Sequence, residues 1–301
     1  MRLTFQNCTL CPRACGADRT AGQRGFCGMD ATLRVARAAL PPWEEPVLAA
    51  TGGSGTVFFS GCTLRCSFCQ NHEISSGGFG REITSERLRE IFLELIEQGA
   101  QNINLVTPTH FLPAILPALT PKLPVPMVYN CGGYERVETL RELDGLVDIY
   151  LPDFKYADAQ LAASLSAAAD YPQVAEAAIA EMLRQTGAPV FEGERLLRGT
   201  VVRHLILPDQ VDNSLAVLDR LEKWRNHIIL SIMRQYTPMP PASLTPPFDR
   251  AVTDDEAAAV LSWAQLCGFR HGFFQDADSM GENFIPKFDG SGVDKPGKPV
   301  V

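Results

Sequence analysis

No stretch of this 301-residue chain approaches the roughly 18 consecutive apolar residues that a membrane-spanning helix needs. The opening residues 1–6 also lack the apolar core of an export signal. The expectation is a soluble, unprocessed, cytoplasmic protein. A basic excess is missing too: 27 Lys and Arg against 35 Asp and Glu leave a formal charge of −8. That balance gives no electrostatic footprint for nucleic acid, whose phosphates call for clustered cations. The Gly-rich stretch at 52–55 is not followed by Lys-Ser/Thr, which argues against a phosphate-binding loop. Cysteine, by contrast, is plentiful. Seven of the nine cysteines fall in two tight clusters within the first 69 residues. In a reducing compartment such clusters read as metal ligands rather than disulfides.

With 46% hydrophobic residues the chain can bury a substantial core. Short apolar runs at 56–60, 103–107, 125–130, 146–151, 201–207 and 227–233 read as six buried strands, with a seventh candidate at 269–275. Amphipathic segments lie between them, such as 84–98 and 253–267, the latter opened by the capping-box pair Thr253 and Glu256. Regular alternation of strand and helix predicts parallel strands joined by right-handed crossovers. A closed eight-unit barrel would take about 250 residues, so an open, partial (β/α)6 barrel of the TIM-like type is expected over 56–288. Residues 1–40 read as a Cys-rich metal-bound cap, 41–55 as a linker loop and 289–301 as a flexible tail.

The segment SGCTLRCSFCQNHEIS, residues 60–75, carries Cys62, Cys66 and Cys69 with His72 close behind. Three thiols and an imidazole can close a structural zinc site. The first cysteine, however, directly follows the first predicted strand, and in α/β folds the loops at the carboxyl ends of strands carry the chemistry. The alternative is a 4Fe–4S cluster, which normally takes four thiolates. Three thiolates leave one iron free for a chelating amino acid, and S-adenosylmethionine (SAM) has the amino and carboxylate groups to chelate it. On this reading His72 is not a ligand and shapes the substrate side of the loop with Gln70 and Asn71.

Cys62-x3-Cys66-x-Phe68-Cys69 resembles the hallmark of the radical SAM superfamily, and with "RHLILP" at 203–208 the chain is most similar to its pyruvate formate-lyase activating enzyme-like branch. The resemblance implies a partial barrel. It also implies reductive cleavage of SAM to a 5′-deoxyadenosyl radical that abstracts a hydrogen atom, an external electron donor such as flavodoxin or ferredoxin, and backbone contact with the adenine around Phe68. A glycyl-radical enzyme is one implied protein substrate; modification of a peptide, a cofactor or RNA is the alternative, with the acidic charge weighing against RNA. Where the superfamily carries a Gly-Gly-Glu-like segment for the SAM amino group, this chain has Thr107, Pro108, Thr109 and His110. Further strand ends supply Asn130, Asp153, Lys155 and Arg203, with Asp153 and Lys155 grouped with the catalytic cysteines and Phe68, Thr107, Thr109, His110, Asn130 and Arg203 expected at the cofactor. Cys131 is a redox candidate whose commoner fate is a buried inert thiol, and Cys267 reads as core.

Cys8, Cys11, Cys15 and Cys27 supply four thiols for a second site, either tetrahedral zinc or an auxiliary iron–sulfur cluster. Pro12, Gly16, Gly22 and Gly25 allow the tight turns that such a site needs. A rival from another class is a zinc or iron–sulfur carrier without catalysis, which would have no use for a long series of strand-end polar groups.

Overall fold

The computed structural model describes residues 3–41, 44–49, 52–241, 245–275 and 286–295. Its strands are β1 (Arg34–Ala39), β2 (Gly55–Phe59), β3 (Arg81–Glu82), β4 (Ile103–Val106), β5 (Met127–Cys131), β6 (Ile149–Pro152), β7 (Val190–Glu192), β8 (Arg195–Leu205), β9 (Ile229–Met233) and β10 (Gly272–Gln275). They form one sheet in the order β10-β9-β8-β6-β5-β4-β2-β1-β3, with β7 pairing β8 outside that path. Seven of them, β2, β4, β5, β6, β8, β9 and β10, run parallel in sequence order. The six sequence-derived strands and the seventh candidate all lie in this series, and among the described residues the sheet stays open.

Helices α1 (Pro46–Ala49), α2 (His72–Ser75), α3 (Ser85–Glu97), α4 (Leu112–Ile115), α5 (Val137–Arg141), α6 (Ala159–Ser166), α7 (Tyr171–Thr186), α8 (Val211–Leu221) and α9 (Asp254–Leu266) complete the described elements. The two amphipathic segments fold as their periodicity demands. In α3, Leu88, Ile91, Phe92 and Leu95 are buried, and Thr84 Oγ1 accepts from the Arg87 N–H to cap the start. Each such side chain contributes about 1.5–3 kcal/mol on burial. At α9 the capping box is formed in both directions between Thr253 and Glu256.

Strand alternation sorts the sheet into two faces. Val57, Phe59, Leu105, Tyr129 and Tyr150 pack with α3 and α7 on the outer face, and Val202, Leu230 and Ile232 pack with α8 and α9 there. The inner face carries Val128, Ile149, Leu151, Val201 and Ile229, and α1 inserts Val47 and Leu48 among them. Residues 44–49 of the expected linker 41–55 therefore form a plug in the sheet's interior, and Gly55 already belongs to β2. Two other expectations are corrected. Residues 34–39 of the expected cap are β1, antiparallel to β2, because Val35 and Ala38 find apolar partners in the core. Residues 289–295 of the expected flexible tail are docked instead: Gly290 N–H donates to Ala36 O, Ser291 O accepts from Ala38 N–H, and Arg87 donates to the carbonyls of Val293 and Asp294. Residues 296–301 of that tail lie outside the described residues.

Candidate active site

β2 delivers the chain to Gly61, which has φ +83°; a Cβ there would stand 2.5 Å from Met29 Cγ and 2.8 Å from Cys27 O. Only glycine lets the Cys-rich cap press this closely on the cysteine loop. The loop is then wound tightly, with Cys69 N–H donating to Cys66 O and His72 N–H to Cys69 O, both at 3.1 Å. Phe68 fixes it from below, its ring 6.4 Å from Tyr156 and 6.2 Å from Tyr236. Ser67 N–H donates to Leu165 O at 2.8 Å, and the Ser166 hydroxyl donates to Cys66 Sγ at 3.0 Å, tying the loop to the end of α6.

Burial, followed by the neighbouring Cys66 sulfur, pushes the Cys62 thiol up to about 12 and raises Cys69 as well. Burial disfavours the thiolates of Cys62 and Cys69, and a bound metal centre would remove that penalty. Ser67 Oγ and Asn71 Oδ1 in the same loop are buried without partners. The residues therefore fit a group that supplies positive charge. His72 is exposed, so it is not placed as a buried fourth ligand beside the three cysteines.

In the cap, Cys8, Cys11 and Cys27 are buried and Cys15 is exposed, all as free thiols. The position of a Gly25 Cβ would lie 3.1 Å from Cys15 Sγ and 3.5 Å from Cys27 Sγ, so these two sulfurs flank it. Burial pushes Cys11 up to about 12. Arg13 joins the cap to the site: its guanidinium donates to Thr63 O at 2.9 Å, to Ser166 O at 2.7 Å and to Ala167 O.

Asn130, Asp153, Lys155 and Arg203 are brought together on the inner face. Asp153 accepts from Arg203 Nε at 2.8 Å and from Lys155 Nζ at 2.6 Å, while Arg203 Nη2 donates to Asn130 Oδ1 at 2.7 Å. Burial alone would raise Asp153, but Arg203 and Lys155 outweigh it and hold the carboxyl below its usual range. Burial would likewise lower Lys155, yet Asp153 and then the Cys66 sulfur hold its ammonium above the usual range. The charges alternate from the cysteine loop inward. Gly133 makes room for this group: its φ is +78°, and a Cβ would overlap the Asp153 carbonyl oxygen at 2.0 Å.

Thr109 and His110 are not brought to that face. Thr109 Oγ1 donates to Glu135 at 2.8 Å and accepts from Tyr129 OH at 3.0 Å, which places it with the outer-face side chains. His110 pairs through Nε2 with Ser60 O at 2.7 Å and is driven down to about 3, first by burial and then by Arg19, so its ring is neutral. Thr107, half-buried with φ +58°, is left at the strand end in the left-handed region that favours glycine. Cys131 is buried on the outer face with its thiol raised well above the ordinary value by burial and then by Glu135, the inert arrangement. Cys267 lies in the α8–α9 core.

Sequence reasoning missed Glu44 and Glu45, which precede α1 inside the sheet. Glu44 Oε2 accepts from Asn104 Nδ2 at 2.6 Å, and Glu45 accepts from Ser231 Oγ at 3.0 and 3.1 Å. A Pro-flanked pair of acids next to a Gly-rich run looks like surface loop, and only the apolar Val47-Leu48 that follows hinted at entry into a core.

These features define an enzyme of the open α/β barrel class, with its chemistry at the carboxyl ends of the parallel strands. Residues 56–221, more than half of the chain, match the Radical SAM superfamily, and the protein belongs to it. The superfamily brings SAM and a 4Fe–4S cluster as cofactors. A relative in Methanocaldococcus jannaschii, described as uncharacterized protein MJ0674, is 28% identical over 271 residues, covering 87% of this chain and 75% of that protein. Streptococcus suis SuiB is similar in fold in two structures. The form bound to S-adenosylmethionine has a TM-score of 0.49 at 11% identity and covers 71% of this chain and 48% of SuiB. The form bound to precursor peptide SuiA gives 0.50 at 12%, covering 71% and 46%. This chain thus spans just under half the length of SuiB. No described helix is long and apolar enough to cross a membrane.

Proposed function

We propose that Cys62, Cys66 and Cys69 hold a 4Fe–4S cluster through three of its irons, leaving the fourth for SAM, and that the chain takes a hydrogen atom from a polypeptide. The observation that carries this reading is the three-thiol loop after the first parallel strand, with Cys62 and Cys69 desolvated and the Lys155–Asp153–Arg203 ladder beside it. When bound and reduced by an external one-electron donor such as flavodoxin or ferredoxin, the cofactors supply a 5′-deoxyadenosyl radical. Lys155 places a cation beside the cluster loop, where it offsets thiolate charge. Asn130 and Arg203 offer amide and guanidinium donors to a ribose or carboxylate at the strand ends. Phe68, through its buried ring, holds the loop backbone in position for the adenine, and Thr107 turns the backbone at the end of β4.

A polypeptide substrate is favoured by two exposed aromatic rings that flank the cysteine loop, Phe26 (36%) and Phe79 (40%). Their carbonyls accept from Arg65 Nη1 and Ser60 Oγ, so both are anchored to that loop. The same fold admits a precursor peptide in SuiB. Peptide modification and activation of a glycyl-radical enzyme, in the manner of the pyruvate formate-lyase activating enzymes, are the two forms this takes. The four cap thiols would hold zinc or an auxiliary cluster. Nine free thiols suit the reducing cytoplasm.

The test is anaerobic purification, then dithionite and SAM, with 5′-deoxyadenosine, iron, sulfide and zinc quantified on one sample. Deoxyadenosine from the parent and none from Cys66→Ala is expected. A zinc protein that leaves SAM intact, or equal product from the variant, overturns the reading.

A further inference from the structure

The acids that enter the sheet with α1 have too few donors. Glu45 is 1% exposed and shares a single hydroxyl proton, from Ser231 Oγ, between its two oxygens. Glu44 accepts from Asn104 Nδ2 and from the Glu45 N–H at 3.2 Å. Two ionised carboxylates present about eight lone-pair sites, and among the described residues these three donors leave most of them unmet, so burial raises both acids. Asn104 adds to the deficit. It is 0% exposed, and its Oδ1 has no partner. Turning the amide over would set Oδ1 against the Glu44 carboxylate at 2.6 Å, so the acidic neighbour fixes the orientation and the orphaned acceptor stays.

The nearby cation does not settle the account. Arg203 is held above its usual range by Asp153 and then by Glu44 and Glu45, against the effect of burial. Its Nε and Nη2, however, are committed to Asp153 and Asn130. Acceptors thus gather beside Arg203 from the loop before α1 and from β4. Buried acceptors without donors are costly to leave unmet. A compact group with several donors and a positive charge answers this need. An ammonium has three N–H donors that can diverge towards three acceptor groups, whereas a planar guanidinium offers a fork.

We propose that Glu44, Glu45 and Asn104 form a substrate subsite for a primary ammonium, such as a lysine side chain or an amino terminus, and so set specificity for an amine-bearing substrate. This rests on the reading of the chain as a radical SAM enzyme of polypeptides and names the group that such a substrate would insert into the barrel. The anchoring point neighbours Arg203, which also holds Asp153.

The experiment is anaerobic titration calorimetry of the cofactor-loaded protein with SAM present. The probes are Nα-acetyl-lysine N-methylamide, its norleucine counterpart of similar shape without the charge, and the arginine counterpart. Lysine is expected to bind at least tenfold more tightly than norleucine and more tightly than arginine. Glu44→Gln should bring lysine and norleucine within about twofold. Equal binding of the three probes, or binding by none at 10 mM, overturns the proposal. So does a preference that survives in Glu44→Gln. The comparison of probes on the parent stands even where the variant fails to fold. Deoxyadenosine is measured on the same samples. Product without lysine preference sinks the subsite and leaves the radical reading, while lysine preference without product does the reverse.

Discussion

Arg203 Nε stands 2.8 Å from Asp153 Oδ1, across an isolated parallel bridge that extends the β6–β8 pairing to the strand ends. The other carboxylate oxygen holds Lys155, so one buried anion separates two cations. Replacing it with a neutral amide leaves those cations facing each other with little water. Asp153→Asn is expected to cost about 3–5 kcal/mol, the usual penalty for removing one partner of a buried pair. Anaerobic urea unfolding measures this. A loss below about 1 kcal/mol would mean that the ladder is solvated and that the carboxylate is no structural keystone.

The cap reaches the same loop through Arg13. Its guanidinium donates to carbonyls of Thr63, Ser166 and Ala167 and lies 3.9 Å from the centre of the Phe26 ring. Arg13→Ala is expected to destabilise the protein by about 1.5–3 kcal/mol, as for a hydrogen bond from a charged group, and to speed amide exchange over 62–69. Arg13→Lys should restore little, because an ammonium cannot serve three carbonyls in a plane and stack on a ring. Unchanged exchange in Arg13→Ala would show that the cap and the cysteine loop are not coupled through this side chain.

Much of this was legible from residue patterns. Strands show as short apolar runs because both faces of a parallel sheet are buried, which is why all seven parallel strands could be placed. The cysteine spacing pointed to the superfamily whose match over 56–221 spans that loop. What the sequence hid follows from strand alternation and insertion. Asn130 and Cys131 are neighbours in the chain, yet one meets Arg203 on the inner face and the other lies among outer-face apolar groups. The Thr107-to-His110 segment turns away after the first residue, so Thr109 bonds Glu135 and Tyr129 on the outer face and the His110 carbonyl accepts from Arg19 of the cap. Glu44 and Glu45 could not be placed at all, because nothing local in a Pro-flanked acidic pair says that a one-turn helix will carry it into the sheet.

Glu135 is the outer-face counterpart of those acids. It is 2% exposed and accepts from Thr109 Oγ1 at 2.8 Å and Tyr129 OH at 3.1 Å. Burial outweighs these bonds and raises it to about 7 from 4.5. Below about pH 4.5 the carboxyl is protonated whether folded or not, and its full contribution is present. As pH rises towards 7 the unfolded chain releases the proton that the folded chain keeps, so stability falls, and above 7 the loss is complete. The difference amounts to about 3 kcal/mol. Glu135→Gln removes this titration, so parent and variant should diverge steadily between pH 4.5 and 7, with the variant losing less. Glu45 titrates in the same range but is common to both proteins and cancels in the difference. Unfolding midpoints collected across that range check the point, and parallel curves for the two proteins would mean that Glu135 is already ionised in the fold at acid pH.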